Sequence, residues 1–148
     1  IMRFIEYMDV GTRNDWRMDQ VVPASEIVDK IHAEMPLTPA DPNYLGEVAN
    51  RYRYVDGGGE IGIIGSVTKP FCGDCTRLRL SPEGSVYTCL FSGKGIDLRS
   101  SLRNDATDSE LISLITSVWN AREDRYSEIR SSLTTPILDK VEMYHIGG

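Results

Sequence analysis

Three cysteines within eighteen residues constrain this chain more than any other feature of its sequence. Cys72, Cys75 and Cys89 have the spacing C-x2-C-x13-C. Because three is an odd number, the cysteines cannot all be paired in disulfide bonds. The opening residues do not have the pattern of a secretory signal, which predicts a cytoplasmic setting. In that setting closely spaced cysteines are typical of metal sites or redox sites.

The residues around the cysteines predict two β-hairpins. The predicted strands are Arg51–Val55, Glu60–Val67, Arg77–Leu80 and Ser85–Leu90. Residues 56–59 and 81–84 have the glycine-containing composition of hairpin connections. Cys72 and Cys75 fall between the hairpins, and Cys89 falls on the returning strand of the second. Since a hairpin brings its strands side by side, the three sulfurs can converge at one end.

The first 35 residues read as a strand, a loop and a helix, which is the repeating unit of α/β folds. Residues 3–10 predict the strand, and Ala24–Met35 predicts an amphipathic helix. Its apolar face is formed by Ile27, Val28, Ile31 and Met35. Pro36, Pro39 and Pro42 interrupt regular structure, which predicts a domain boundary after residue 35.

Two further helices are predicted after the second hairpin. Residues 97–103 suggest a short helix, and Thr107-Asp108-Ser109-Glu110 is a capping box that predicts the start of a longer one. The buried stripe of the longer helix is predicted to be Leu111, Ile112, Leu114, Ile115, Val118 and Trp119. Residues 136–148 contain a short apolar segment and finish in two glycines.

The charge distribution argues against nucleic acid and favours a local anionic ligand. The net charge is −6, whereas residues 66–103 carry +3 and leave −9 for the rest. By itself this count is more typical of an ordinary solvated surface. No apolar run approaches the roughly 20 residues that a membrane span needs.

The cysteine spacing leaves two kinds of metal site open. A structural zinc ion takes four ligands, and the only two histidines, His32 and His145, lie far from the cysteines in sequence. A thioredoxin-like pair is disfavoured because a strand, not a helix, is predicted to follow Cys75. Three cysteines can instead hold an iron–sulfur cluster with one iron open to another ligand. Buried structural cysteines would not explain the clustering.

Arg77 and Arg79 follow the first cysteine pair directly. The two-residue period of a strand places both guanidinium groups on one face. Arginine suits bidentate recognition of phosphate. Two ordinary exposed strand residues would give the same pattern. The adjacent cysteines are what favour a phosphate-binding role for the pair.

Residues 71–80, together with residues 82–84 and 89–91, resemble the C-terminal cluster motif of the molybdenum cofactor biosynthesis protein A family. These are the GTP 3',8-cyclases of the radical S-adenosylmethionine superfamily. Residues 3–10 and the terminal Gly147-Gly148 also match, so the resemblance covers essentially the whole chain. The family's N-terminal C-x3-C-x2-C motif does not occur here, and the chain opens on an apolar run. A C-terminal piece of a longer protein is therefore predicted.

This resemblance implies an α/β fold in two parts. Residues 1–35 would be the last strand–helix unit of an incomplete (β/α) barrel, the C-terminal end of the radical S-adenosylmethionine barrel. Residues 36–148 would form a small α+β C-terminal domain. Its antiparallel hairpins would carry the iron–sulfur cluster and bind GTP.

The resemblance also implies roles for individual residues. A three-cysteine 4Fe-4S cluster with an open iron that binds guanine would be held by Cys72, Cys75 and Cys89. The triphosphate would be held by Arg77, Arg79 and Arg3. Met8 would contact S-adenosyl-L-methionine. The tail residues Gly147 and Gly148 would support catalysis.

The implied reaction converts GTP to 3',8-cyclo-7,8-dihydro-GTP in molybdenum cofactor biosynthesis. A 5'-deoxyadenosyl radical takes hydrogen from the ribose C3' of GTP, and the resulting radical attacks C8 of guanine. S-adenosyl-L-methionine and a second 4Fe-4S cluster would be bound mainly by the N-terminal barrel, so this chain alone should be inactive. The intact protein would be a cytoplasmic homodimer. The alternative is a zinc-stabilised, non-catalytic module that binds a phosphorylated ligand.

Overall fold

The computed structural model describes residues 1–130 and 140–146 of the 148-residue chain. These residues form two compact units. The first unit contains Ile1–Asp9 and Trp16–Cys75, and the second contains Val10–Asp15 and the described residues after Cys75. No helix in the described part of the chain is long and apolar enough to cross a membrane.

The first unit is a four-stranded sheet with one helix packed on it. The strands are β1 (Met2–Ile5), β2 (Leu37–Ala40), β3 (Asn50–Tyr54) and β4 (Glu60–Ile64). Their order in the sheet is β1-β4-β3-β2. β1 is parallel to β4, whereas β3 is antiparallel to both of its neighbours. The predicted α/β class is therefore confirmed, and the place of β1 at the end of a barrel stays a prediction.

The first predicted hairpin is confirmed as β3 and β4. Gly57 and Gly59 in the connection have φ of +80° and +109°, which an L side chain rarely adopts. The carboxylate of Asp56 accepts a hydrogen bond of 2.8 Å from the Gly58 N–H. The connection therefore has the local chemistry that a tight turn requires.

The predicted helix is confirmed as α1 (Ala24–Glu34), which packs on one face of this sheet. The buried core consists of Ala24, Leu37, Ile61 and Ile63. The partly buried residues packed against it are Phe4, Ile27, Val28, Ile31, Tyr52 and Tyr54. Met35 was wrongly placed on the apolar face, because it lies beyond the last helical residue and is 49% exposed.

The proline-rich stretch is more ordered than the sequence suggested. Pro39 lies within β2, where it is paired with Tyr52. Proline is compatible with an edge strand, because its missing N–H can face away from the neighbouring strand. The boundary predicted after residue 35 falls inside the first compact unit. The assignment of residues 1–35 to the end of a barrel and of residues 36–148 to a C-terminal cluster and GTP-binding domain stays a prediction.

The first strand is shorter than predicted, because the side chain of Glu6 turns inward. Glu6 is 2% exposed, and its carboxylate accepts hydrogen bonds from the N–H groups of Ala24, Val67 and Thr68 at 2.6, 2.7 and 2.8 Å. The Thr68 hydroxyl also donates to it, at 2.5 Å. Residues 6–10 consequently have no regular strand structure.

The described part of the second unit contains a small antiparallel sheet and three α-helices. The strands β5 (Arg79–Leu80), β6 (Ser85–Tyr87) and β7 (Ile96–Asp97) lie in that order. The helices are α2 (Arg99–Arg103), α3 (Asp108–Asn120) and α4 (Tyr126–Ile129). The second predicted hairpin is confirmed with shorter strands. The predicted helix at residues 97–103 begins two residues late, because Asp97 belongs to β7.

The predicted capping box at the start of α3 is confirmed. The Thr107 side chain accepts from the Glu110 N–H, and the Glu110 carboxylate accepts from the Thr107 N–H at 2.8 Å. Five of the six predicted stripe residues are half-buried. Ile112 is the exception, at 64% exposed.

Replacing Glu6 with alanine should strongly destabilise the protein. Three backbone N–H groups would lose their acceptor, and each unsatisfied buried donor costs about 1–3 kcal/mol, so we expect a loss of at least about 3 kcal/mol. Urea unfolding measures this free energy. The matched control is Glu26→Ala, which removes an exposed pair with Lys30 and should cost only about 0.5 kcal/mol. Equal losses in the two variants would contradict the role assigned to Glu6.

The stability should also depend on pH through Glu6. Burial opposes ionisation of this carboxyl, but the hydrogen bonds from Thr68, Val67 and Ala24 together lower its pKa. The stabilisation is then fully present above the ordinary glutamate value of 4.5 and is lost as the pH falls through the lower folded-state value. Urea unfolding at a series of pH values should give a shallower acid slope for Glu6→Gln. Parallel slopes would assign the acid sensitivity to other carboxyl groups.

Candidate metal and nucleotide site

The first cysteine pair lies in a tight turn of the first unit. The Cys75 N–H donates to the Cys72 carbonyl at 3.3 Å, so the chain reverses across Gly73 and Asp74. Both cysteines are half-buried, and the two residues between them are exposed. The turn therefore keeps two thiols near the surface on one short segment.

Cys89 lies in the second unit, two residues beyond the end of β6. It was wrongly placed on the returning strand, because the ladder between β5 and β6 ends at Tyr87. The Ser92 N–H donates to the Cys89 carbonyl at 3.3 Å, and the Phe91 N–H donates to the Cys89 Sγ at 3.5 Å. Cys89 is therefore part of a turn, and its sulfur is a hydrogen-bond acceptor.

The donor set fits a thiolate-binding metal centre. All three cysteines lie in the described residues, and none of them forms a disulfide bond. Each is half-buried, and thiolate sulfur is the ligand that zinc and iron–sulfur clusters prefer. Across residues 1–130 and 140–146, no group of three or more His, Cys, Asp or Glu side chains is arranged to hold a metal ion. Ligation by all three cysteines therefore stays a prediction.

Both histidines have hydrogen-bond partners other than the cysteines. The His32 Nδ1 accepts a hydrogen bond of 3.0 Å from the Leu37 N–H, just beyond the end of α1. His145 Nε2 lies 2.6 Å from a carboxylate oxygen of Glu83. The His32 contact is thus local, whereas the His145 contact joins residues 62 positions apart.

Arg77 and Arg79 share one side of their segment. Both are half-buried, whereas Thr76, Leu78 and Leu80 are exposed. This alternation extends the strand-like pattern back from β5, although Arg77 itself precedes the paired residues. The structure therefore agrees with the predicted common face, and their binding of phosphate stays a prediction.

The turn after Arg79 is held against the start of α2. The Gly84 carbonyl accepts hydrogen bonds of 3.0 Å from the N–H groups of Leu98 and Arg99. Gly84 has a φ of +87°, and a Cβ there would lie 2.8 Å from the Arg99 Cβ. Only glycine fits this position without displacing the helix.

Arg3 and Met8 lie in the first unit, near its N-terminus. Arg3 is an exposed residue of β1 and pairs with Gly62 of β4. A Cβ at Gly62 would lie 3.3 Å from the Arg3 Cγ, so the aliphatic part of the arginine occupies the space that this glycine leaves. Met8 is half-buried in the irregular segment after β1. Their contacts to ligands stay predictions.

The C-terminal segment is anchored to the second unit as far as Ile146, which is 2% exposed. The Val141 N–H donates to the Ser92 carbonyl at 3.4 Å, and Glu142 accepts from the Thr12 N–H at 2.9 Å. His145 of this segment also contacts the carboxylate of Glu83. Partial burial opposes ionisation of Glu83, but its hydrogen bonds, among them those with Ser81 and His145, lower its pKa. The predicted catalytic residues Gly147 and Gly148 lie outside the described residues.

A family model described as Molybdenum Cofactor Synthesis C matches residues 1–128. The chain belongs to this family. The GTP 3',8-cyclase of Acidothermus cellulolyticus is 50% identical over 172 residues, an alignment that covers the whole chain and 48% of the relative. Two further relatives with the same name are those of Xanthomonas campestris pv. campestris and Parasynechococcus marenigrum. The Xanthomonas protein is 48% identical, in an alignment that covers the whole chain and 43% of the relative. The Parasynechococcus protein is also 48% identical, in an alignment that covers 99% of the chain and 41% of the relative.

The chain spans less than half the length of these curated relatives. The family resemblance seen in the sequence is thereby confirmed, and so is the match to only part of a longer protein. The roles assigned to individual residues of this chain remain predictions.

One cluster next to Cys89 in the second unit was not predicted by the sequence analysis. Phe91 packs against Tyr126 with ring centroids 4.6 Å apart, and two cationic side chains lie over these rings. The motif containing Phe91 was recognised, but its partners come from the region after α3. No periodic pattern or motif links those partners to Cys89, so the sequence carried no signal for the contact.

Proposed function

We propose that this chain is the GTP-binding part of a GTP 3',8-cyclase that acts in molybdenum cofactor biosynthesis. The observation that carries the proposal is an identity of 48–50% to proteins of that name along the whole chain. The three half-buried thiols outside any disulfide agree with it. The reaction would convert GTP to 3',8-cyclo-7,8-dihydro-GTP.

Cys72, Cys75 and Cys89 would be the ligands of a 4Fe-4S cluster. Thiolates are the usual ligands of such clusters, and this chain offers three where four are common. When bound, the cluster would offer its remaining iron position to the guanine of GTP. The turn at Cys72–Cys75 and the turn after Cys89 would orient the thiols before the cluster binds.

The phosphates of GTP would be bound by Arg77 and Arg79. Both arginines lie within four residues of Cys75 and share one side of their segment. Their half-buried positions restrict the side chains, which lowers the entropy cost of holding a phosphate. Arg3 would add a further phosphate contact from β1.

The rest of the longer protein would complete the active site. Its N-terminal barrel would bind S-adenosyl-L-methionine and a second 4Fe-4S cluster, and Met8 would contact S-adenosyl-L-methionine from this chain. Gly147 and Gly148 would support catalysis from the tail. The intact protein would be a homodimer in the cytoplasm, with residues 1–35 forming the last strand–helix unit of its incomplete barrel.

Anaerobically prepared protein should contain iron and an equal amount of acid-labile sulfide. Electron paramagnetic resonance before and after addition of GTP should show a signal that GTP perturbs. Cys89→Ser should lose that signal, because the cluster would keep only two of its three thiolates. Ser92→Ala in the same turn is the control and should retain it.

Zinc without sulfide, even after anaerobic reconstitution with iron, would contradict the cyclase function. Combined with the absence of any response to GTP, this result would support a zinc-stabilised module that binds a phosphorylated ligand. The metal analysis therefore separates the two functions without an activity assay.

Replacing Arg77 or Arg79 with alanine should weaken GTP binding by about tenfold or more, since hydrogen bonds between charged groups contribute about 1.5–3 kcal/mol. Binding of guanosine, which lacks phosphates, should change little in the same variants. Equilibrium binding under anaerobic conditions measures both affinities. Arg103→Ala, at an exposed position of α2, is the control. A loss of guanosine affinity as large as that of GTP would rule out a phosphate role.

A further inference from the structure

The turn that contains Cys89 is held by several contacts within the second unit. The Ser92 N–H donates to the Cys89 carbonyl, and the Ser92 carbonyl accepts from the Val141 N–H at 3.4 Å. Between these contacts, the Phe91 N–H donates to the Cys89 Sγ at 3.5 Å. The sulfur thus has a hydrogen bond whose geometry depends on how the Phe91 backbone is fixed.

The side chain of Phe91 lies in a group of four residues that we call the Phe91 cage. Its members are Phe91, Tyr126, Arg130 and Lys140. Phe91 is 6% exposed, and its ring is 4.6 Å from that of Tyr126 between centroids. The Arg130 guanidinium lies 5.2 and 5.4 Å from the two ring centroids, and the Lys140 ammonium lies 5.8 and 4.6 Å from them.

The cage combines dispersion, cation–π attraction and one hydrogen bond. Both cations lie within the roughly 6 Å over which a ring face attracts a positive charge. The Lys140 ammonium also donates to the Tyr126 hydroxyl at 2.7 Å. Because all of these contacts converge on the two rings, the position of Phe91 is set from α4 and from the segment that begins at Lys140.

A hydrogen bond to a cluster-ligating sulfur favours the reduced state. Reduction adds negative charge to the cluster and its thiolates, and an N–H donor stabilises that charge. A donor held in place also restricts the thiolate to one orientation, which slows loss of the metal. The residue that carries this N–H is also the one whose ring the cage contacts.

Building on the proposed function, we propose that the Phe91 cage is a positioning element for Cys89. It holds the Phe91 N–H on the Cys89 sulfur, and in this way it raises the reduction potential of the bound cluster and slows its loss. None of the four cage side chains needs to touch GTP for this role. The cage therefore acts through Cys89 and not through the substrate.

The test uses the full-length protein with its clusters loaded anaerobically. Phe91→Leu keeps an apolar side chain but removes the ring that the cations contact. We expect the potential of the GTP-responsive paramagnetic signal to become more negative, and the same signal to be lost to an iron chelator about tenfold faster, the lower end of the effect typical of outer-shell metal partners. The matched control is Tyr144→Leu, at a position of the same unit that is 70% exposed.

A second variant keeps the inference testable if Phe91→Leu does not fold. Lys140→Met retains both rings and removes one cation and its hydrogen bond to Tyr126. It should shift the potential in the same direction by a smaller amount. Lys94→Met, at an exposed position, should leave both readouts at the wild-type values. Circular dichroism establishes which variants are folded.

The outcomes distinguish this inference from the proposed function. A wild-type protein without iron and sulfide would overturn both. A loaded Phe91→Leu or Lys140→Met protein with the wild-type potential and the wild-type rate of signal loss would overturn the inference and leave the GTP cyclase function intact. A shift of equal size in Tyr144→Leu would also overturn it, because the effect would then not depend on the cage.

Discussion

The buried carboxylate of Glu6 is the interaction on which the first unit depends. It joins the end of β1, the start of α1 and the loop after β4 through hydrogen bonds to Ala24, Val67 and Thr68. A buried N–H without an acceptor is costly, so these three segments are stable only together. The consequence extends to the site, because the loop fixed at Thr68 leads within four residues to Cys72. The first cysteine turn is thereby attached to the core of the sheet.

Features of the fold that depend on local chemistry were predictable from the sequence. The glycine-rich connection of β3 and β4 and the capping box of Thr107 and Glu110 each contain their own donors, acceptors or conformational freedom. Features that depend on distant residues were not predictable. The burial of Glu6 could not be predicted, because two of the N–H groups that stabilise its carboxylate lie more than sixty positions away. Pro39 similarly predicts an interruption of regular structure, because the sequence does not show that β2 is an edge strand.

The candidate site shows the same division. Residue type and spacing singled out Cys72, Cys75 and Cys89, because thiols and short spacings are chemically specific. The environment of Cys89 could not be predicted in this way, since the Phe91 N–H reaches the Cys89 sulfur only in the folded turn. The partners of the Phe91 ring lie 35 or more residues further along the chain and follow no motif. A ligand can therefore be recognised in a sequence well before the surroundings that tune it.

Pro39 has a consequence for how the sheet of the first unit can associate. A proline on the outermost strand removes a backbone donor from a row that another strand would need for pairing. The β2 side of the sheet is therefore protected against uncontrolled polymerisation through strand addition. The opposite margin, β1, has no proline and exposes Met2 and Ile5 at 65% and 54%. Pairing of a further strand with this sheet is thus favoured at the β1 margin over the β2 margin.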